Sequence, residues 1–238
     1  MTWGTVCFWW FSISRIALVN RSSRDGSVEL RGARGDYYVE GGRWTQICRN
    51  VLTSLFGPPV NVEADGNETY DCRLIRPERW TRPVVVYHCF GGAHTSVVSG
   101  ALHLGWLPRR GVLEREALEA LEPFDSLETR IGQIHHLGRD HRGVEVKAMG
   151  FGGGTEILWP LYAQLMDMIG WSAKEIIDCH TLPAAGVMLR VGGFVSLHLG
   201  LTWPGRFLVI GGVRRAHAQL VDYVEGVERK LDAAGAPG

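Results

Sequence analysis

The chain has 238 residues, 45% of them apolar, with basic and acidic residues balanced at 25 each. That suffices for one large domain, or one domain with an appendage, and it excludes a global charge field drawing the protein to nucleic acid or to an anionic membrane surface. The five cysteines (Cys7, Cys48, Cys72, Cys89 and Cys179) are scattered without a Cys-x-x-Cys pair, which argues against a disulfide framework or zinc knuckle and for a reducing, cytoplasmic location.

Taken in chain order, Trp3 to Phe11 is apolar but has no basic leader and no small-residue cleavage site. It also falls short of the roughly 20 residues that a membrane span needs, so neither a signal peptide nor a span is predicted. Residues 1–83 carry eleven Arg and no Lys, with polar clusters at Arg21 to Gly26 and Arg31 to Gly35. They are expected to form an N-terminal extension, weakly ordered or a small subdomain. Within it Trp44, Ile47, Val51, Leu52 and Leu55 have amphipathic spacing and predict a helix over Arg43 to Phe56, stopped by Gly57-Pro58-Pro59. Val60 to Val62 and Cys72 to Ile75 read as short strands around Asp65-Gly66-Asn67.

From Val84 the signals alternate. Val84 to Tyr87 is a buried-type strand, Ser96 to Leu104 a helix ending at Gly105, and Val112 to Leu121 a charged amphipathic helix. Ile134 to Gly138 and Val144 to Met149 flank the turn Asp140-His141-Arg142-Gly143 and predict a hairpin. Gly152-Gly153-Gly154 opens a helix to about Met168, and Glu175 to Cys179 is a strand. Ala185 to Leu199 is helical with a break at Gly192-Gly193, Phe207 to Ile210 is a strand, and Arg214 to Leu231 is the closing helix. This order predicts an α/β domain over residues 84–232 with a flexible tail at 233–238. Its core is a mainly parallel sheet of about five strands with helices on both faces, Rossmann-like or P-loop-like. Ligands in such sheets bind beyond the carboxyl ends of the strands. That rim collects His88-Cys89, Phe151 to Thr155, His180-Thr181 and Gly211-Gly212, and it leaves Arg206 at the opposite rim as a structural residue.

The turn His88 to Ser96 follows a buried strand and opens a helix, where backbone N–H groups and the helix dipole favour an anion. Gly91-Gly92 permits close backbone approach and Thr95 and Ser96 offer hydroxyls. A Walker A loop needs a lysine, and the chain's lysines are Lys147, Lys174 and Lys230. An ordinary nucleoside-triphosphatase is therefore disfavoured, unless an arginine from elsewhere supplies the charge. His88-Cys89, five residues, then Thr95-Ser96 resembles the thiol-phosphatase loop H-C-x5-R-[ST], with Thr95 at the arginine position. A helix N-terminus stabilises a thiolate, but the phosphoryl group would lack its bidentate guanidinium.

The run Val84 to Ser96, with Ala101 to Gly105 and Leu107-Pro108 after it, resembles the opening of the domain of unknown function 3189 family. The resemblance continues through Phe124-Asp125, Gly132 to Ile134, Gly138 to Asp140, Gly143 to Val146 and Gly150. It resumes at Val191 to Ser196 and Gly205 to Gly211, covering about 84–231. It implies that residues 1–83 are an addition, and it implies a setting in spore-forming Gram-positive bacteria, which would allow a sporulation role for a non-catalytic ligand- or partner-binding protein. No activity comes with it. The sequence departs from the pattern at Leu197-His198, where a pair of arginines is expected, and at Gly212, where a hydroxyl residue is usual.

Nine histidines are many for this length. His88, His94 and His180 with Asp178 or Cys89 would make a zinc-type ligand set that the spacing does not demand, so no metal ligand is assigned. Asp140 is explained by its turn. Asp178 interrupts the apolar strand before Cys179-His180, and burial would require a histidine, an arginine or a cation beside it. The expected function is a phosphate- or nucleotide-binding enzyme of phosphoryl-transfer or phosphohydrolase type. His88, Cys89, His94 and Asp178 would be catalytic, with His88 or His94 as general acid and base. Gly91, Gly92, Thr95, Ser96, Gly153 and Thr155 would bind a small phosphorylated ligand, with a divalent metal as the other cofactor class. The alternative is a non-catalytic ligand- or partner-binding protein.

Overall fold

The computed structural model describes residues 15–20, 28–32, 35–39, 43–56, 58–59, 61–62, 68–71, 83–126, 131–152, 155, 159–160, 162–163, 166, 175–189, 191 and 202–233. The chain divides into two units, Met1–Arg79 with Glu156–Ala173, and Trp80–Thr155 with Lys174–Gly238.

In the first unit β1 (Arg15–Asn20), β2 (Val28–Gly32), β3 (Gly35–Val39), β4 (Asn61–Val62) and β5 (Glu68–Asp71) form an antiparallel sheet in the order β3-β2-β1-β5-β4. Its first three strands are short and carry charges and glycines, so periodicity did not announce them. Helix α1 (Arg43–Phe56) has the bounds that its spacing predicts. It packs on β1 and β5 and buries Ile47, Cys48, Val51 and Leu52. The strand expected at Cys72 to Ile75 lies outside the described residues.

In the second unit β6 (Val84–Cys89) is buried at every position. The hairpin read around Asp140 is present as β7 (Ile134–Arg139) and β8 (Glu145–Gly150), and β9 (Ile176–His180) completes a four-stranded sheet in the order β7-β8-β6-β9. The β8–β6 and β6–β9 pairs are parallel and β7–β8 is antiparallel. Asp140 makes the hairpin turn itself, its Oδ1 accepting the N–H groups of Arg142 at 2.9 Å and Val144 at 2.8 Å. Helix α2 (Thr95–His103) packs across β6 and β8, and its last turn runs out at Gly105, φ +72°. Helix α3 (Arg115–Glu119) is shorter than the expected Val112 to Leu121.

The largest departure is α4 (Thr202–Ala233), one continuous helix where a strand at Phe207 to Ile210 was expected. Its buried positions Val209, Val213, Ala216, Leu220, Val224 and Val227 recur every three or four residues and pack with α2 over the sheet. Gly211-Gly212, read as the end of a strand, are interior to this helix. A Cβ on Gly212 would lie 2.8 Å from the Leu189 backbone, so the glycine admits a neighbouring segment rather than a turn. Gly211-Gly212 therefore leave the ligand-side rim, and the fifth strand is not among the described residues. No helix of the described residues is long and apolar enough to cross a membrane.

Candidate functional site

Strand alternation sorts the residues at the carboxyl end of β6. His88 and Cys89 are both buried, and neighbours on a strand point to opposite faces. Cys89 turns to the α2 face, where Gly92 N–H donates to its Sγ at 3.2 Å and Ser96 Oγ lies 3.2 Å away. His88 turns to the other face, with Nε2 at 2.5 Å from Asp178 Oδ1. Its ring stacks on His180 at 4.8 Å with 7° between the planes, because register places these two residues opposite each other. Phe151 lies against the same ring at 4.4 Å. Burial and the neighbouring His88 hold the His180 pKa below the usual histidine value, against the pull of Asp178. Asp178 has a histidine partner, but its side chain is 38% exposed, so the pairing is not the forced consequence of burial that the sequence suggests. His88 and Asp178 come together as a pair, whereas Cys89 is separated from them by the sheet.

The loop from Cys89 to Thr95 is held by its carbonyls. His88 O accepts the Thr181 N–H, Cys89 O that of Phe151, Phe90 O that of Gly152, Ala93 O that of Asp125 and His94 O that of Val98, at 2.8–3.0 Å. In a trans peptide the N–H points away from the carbonyl. The N–H groups of Gly91, His94 and Thr95 are therefore turned away from these partners, and α2 has no side-chain cap. Gly92 adopts φ +78°, and a Cβ there would lie 2.6 Å from Gly150 N. The glycine pair lets the loop press backbone to backbone on the end of β8, so a larger residue at Gly92 would disturb the fold as well as any ligand. Thr181 Oγ1 lies 2.9 Å from both Thr95 Oγ1 and His88 O, which fastens β9 to the start of α2. Of the other expected binding residues, Thr155 is helical and half-buried, and Gly153 lies outside the described residues.

His94 is the N-cap residue of α2. Its Nε2 is 3.0 Å from Asp125 Oδ1, and Arg206 Nε is 3.0 Å from Asp125 Oδ2. The Asp125 side chain is 1% exposed and its N–H is bound by Ala93 O. It is the described non-glycine residue with positive φ, +49°, a conformation that costs about 1 kcal/mol and is held here by partners on both carboxylate oxygens. Sequence reasoning missed this trio. Arg206 was placed at the opposite rim only because Phe207 to Ile210 was read as a strand; in α4 it sits in the first turns and reaches the ligand side.

On the face that carries His88, β8 contributes Glu145 and Lys147, both buried. Glu145 Oε1 is 2.9 Å from His136 Nδ1 and 3.6 Å from Lys147 Nζ. Burial pushes the Lys147 ammonium down to about 8, with Glu145 opposing, and pushes the Glu145 carboxyl up. Alternation of charged residues within an apolar strand was the available signal. Among the described residues no group of three or more His, Cys, Asp or Glu side chains is placed to hold a metal ion.

Residues 84–229 match a family described as protein of unknown function (DUF3189). The chain belongs to this family. The matched span contains β6 to β9, the loop, Asp125, Arg206 and nearly all of α4. No curated protein and no solved structure matches the chain.

Proposed function

We propose that the chain is an enzyme of the phosphoryl-transfer or phosphohydrolase type, binding a phosphate group in the loop between Cys89 and Ser96. The observation that carries this reading is the direction of the loop's peptides. The carbonyls of His88, Cys89, Phe90 and Ala93 bond outward to neighbouring segments and that of His94 starts α2, so the peptide N–H groups of Gly91, His94 and Thr95 face away from these bonds, at a helix N-terminus without a side-chain cap. Such a nest of N–H groups suits an anion. Cys89 is the nucleophile in this reading, its sulfur already taking one loop N–H and facing Ser96 Oγ. Sγ forms a bond to phosphorus as the ester P–O bond breaks, and His94 gives the departing oxygen its proton. Water then cleaves the S–P bond, with His94 taking its proton, and yields inorganic phosphate and the free thiolate. His94 is preferred to His88 as acid and base because His88 lies on the other face of the sheet from Cys89.

The test is phosphate titration calorimetry with steady-state turnover of p-nitrophenyl phosphate, on wild type and Cys89→Ser. Wild type should bind phosphate and turn the ester over, and Cys89→Ser should bind without turnover. A wild type giving neither heat nor turnover overturns the reading. Iodoacetamide should also alkylate Cys89 before Cys48, whose thiol burial pushes up to about 12, and before Cys179, which burial pushes higher still. A second reading, a partner-binding protein, draws support from a groove of about 490 Å³ lined by exposed Val187 together with Met188, Leu189 and Gly212. In that case Cys89→Ser would leave the biological role intact.

A further inference from the structure

The loop has no arginine of its own, since Thr95 stands where a thiol-phosphatase loop carries one, and the Thr95 hydroxyl is engaged with Thr181. A guanidinium from a distant element is nevertheless tied to the loop through one intervening residue, Asp125. Arg206, in the first turns of α4, binds Asp125 Oδ2 through Nε alone, at 3.0 Å. The other oxygen of that carboxylate holds His94, the residue immediately before Thr95, and the Asp125 N–H holds Ala93 O. One buried residue thus ties a guanidinium to the loop at two points, by its carboxylate to His94 and by its backbone N–H to Ala93.

The manner of the grip matters. A guanidinium has two edges that can bind an anion bidentately, and using Nε leaves the edge formed by its two Nη groups. Other arginines of this unit are spent differently: Arg109 gives both Nη groups to Glu228, and Arg142 is divided between Asp140 and Asp232. The Arg206 side chain is 42% exposed and its Nη groups bond to no described residue, so they are open to a ligand arriving from solvent.

We infer that Arg206 supplies, from α4, the guanidinium that the loop lacks, and that the group it meets is the terminal phosphoryl of a phosphomonoester. Asp125 is the positioning residue: it orients the fork through Nε and holds the His94 ring through Nε2. A monoester has three non-bridging oxygens, enough for a bidentate fork and for the N–H groups of the loop together. A diester has two and one negative charge fewer, so it offers the fork and the loop a poorer acceptor. This inference rests on the phosphoryl-transfer reading of the loop.

The experiment compares wild type, Arg206→Lys, Arg206→Ala and Cys89→Ser. Each is measured by phosphate calorimetry, by turnover of p-nitrophenyl phosphate and bis(p-nitrophenyl) phosphate, and by thermal melting. Arg206→Lys keeps the charge for Asp125 but loses the fork, and should lower kcat/KM for the monoester roughly a hundredfold while melting as a folded protein. Arg206→Ala should fall at least as far and recover in part when ethylguanidinium is added, which a purely structural arginine would not allow. Wild type should prefer the monoester. If both Arg206 variants bind phosphate and turn over the monoester like wild type, or if their losses follow the melting temperature without rescue, the assignment of Arg206 is overturned while the loop reading stands. Equal turnover of the diester overturns the substrate class alone. A wild type with neither phosphate heat nor turnover overturns the loop reading and this assignment with it.

Discussion

The two ends of α2 carry the same chemical pair in opposite settings. At the back, His103 Nδ1 lies 2.8 Å from the Tyr87 hydroxyl and Nε2 lies 3.1 Å from Asp140 Oδ2, while Asp140 also accepts two backbone N–H groups and Arg142. A neutral imidazole fits, with Tyr87 O–H donating to Nδ1 and Nε2–H donating to Asp140. Burial holds the His103 pKa below the usual value despite the pull of Asp140, and pushes the Tyr87 phenol well above its own. Arg142 carries the network on to Asp232 of α4. At the front, His94 and Arg206 Nε both bind Asp125, the helix has no side-chain cap, and the guanidinium is in reach of solvent. A histidine–aspartate pair closed on all sides fastens elements together. The same pair at the helix N-terminus is also buried but is bound to an arginine whose side chain is 42% exposed.

The largest effect that would sharpen this contrast is expected at the back. Asp140→Ala removes the acceptor of His103, Arg142 and two backbone N–H groups and should cost about 4 kcal/mol of stability in urea unfolding. A cost like that of a surface substitution would mean that the network is not closed. Next comes a matched pair of glycines near the two ends. Gly92→Ala combines φ +78° with a Cβ 2.6 Å from Gly150 N, whereas Gly105→Ala has φ +72° and nothing within 4 Å. The first should cost about 3 kcal/mol and the second about 1 kcal/mol, and equal costs would show that the loop does not press on β8.

A smaller effect concerns pH. The unfolded chain protonates His103 near its ordinary 6.5, and the folded chain does so only at lower pH. Stability is therefore fully present above 6.5 and is lost as the pH falls from 6.5 toward the folded value. His103→Gln should flatten that part of the stability profile, as read by urea unfolding across mildly acidic buffers, and an unchanged slope would place the acid sensitivity on other histidines. The smallest effect is expected from Thr181→Val, which removes the link from β9 to Thr95 and His88 O and should cost about 1 kcal/mol. A null result there would assign the alignment of these elements to packing alone.

Much of the second unit was legible as sequence. The buried run Val84 to Tyr87, the polar turn at Asp140 and the glycine after α2 are local signals, and β6, the β7–β8 hairpin and the end of α2 follow them. The loop itself was legible, whereas the burial inferred for Asp178 was not borne out, because its side chain sits 38% exposed at the end of β9. Alternation along β6 could have separated His88 from Cys89 before any coordinates, but reading both as rim residues obscured it. The strand assigned to Phe207 to Ile210 failed for a physical reason: four apolar residues before two glycines suit either a strand and its turn or a helix with a close-packed neighbour, and the run is too short for periodicity to choose.

By itself the sequence determined where the chain turns and which stretches are buried, because turn chemistry and hydrophobic period act over a few neighbouring residues. It also determined that a cysteine and two hydroxyls follow the first strand of the second unit, and that no arginine lies between them. Only the tertiary structure decided which side chains meet: His94 with Asp125 across 31 positions, Arg206 with Asp125 across 81, and His88 with Asp178 across 90. Those pairings depend on strand register and on the packing of α4 over α2. Both are settled by the burial of residues far apart in the chain, where no local pattern records them.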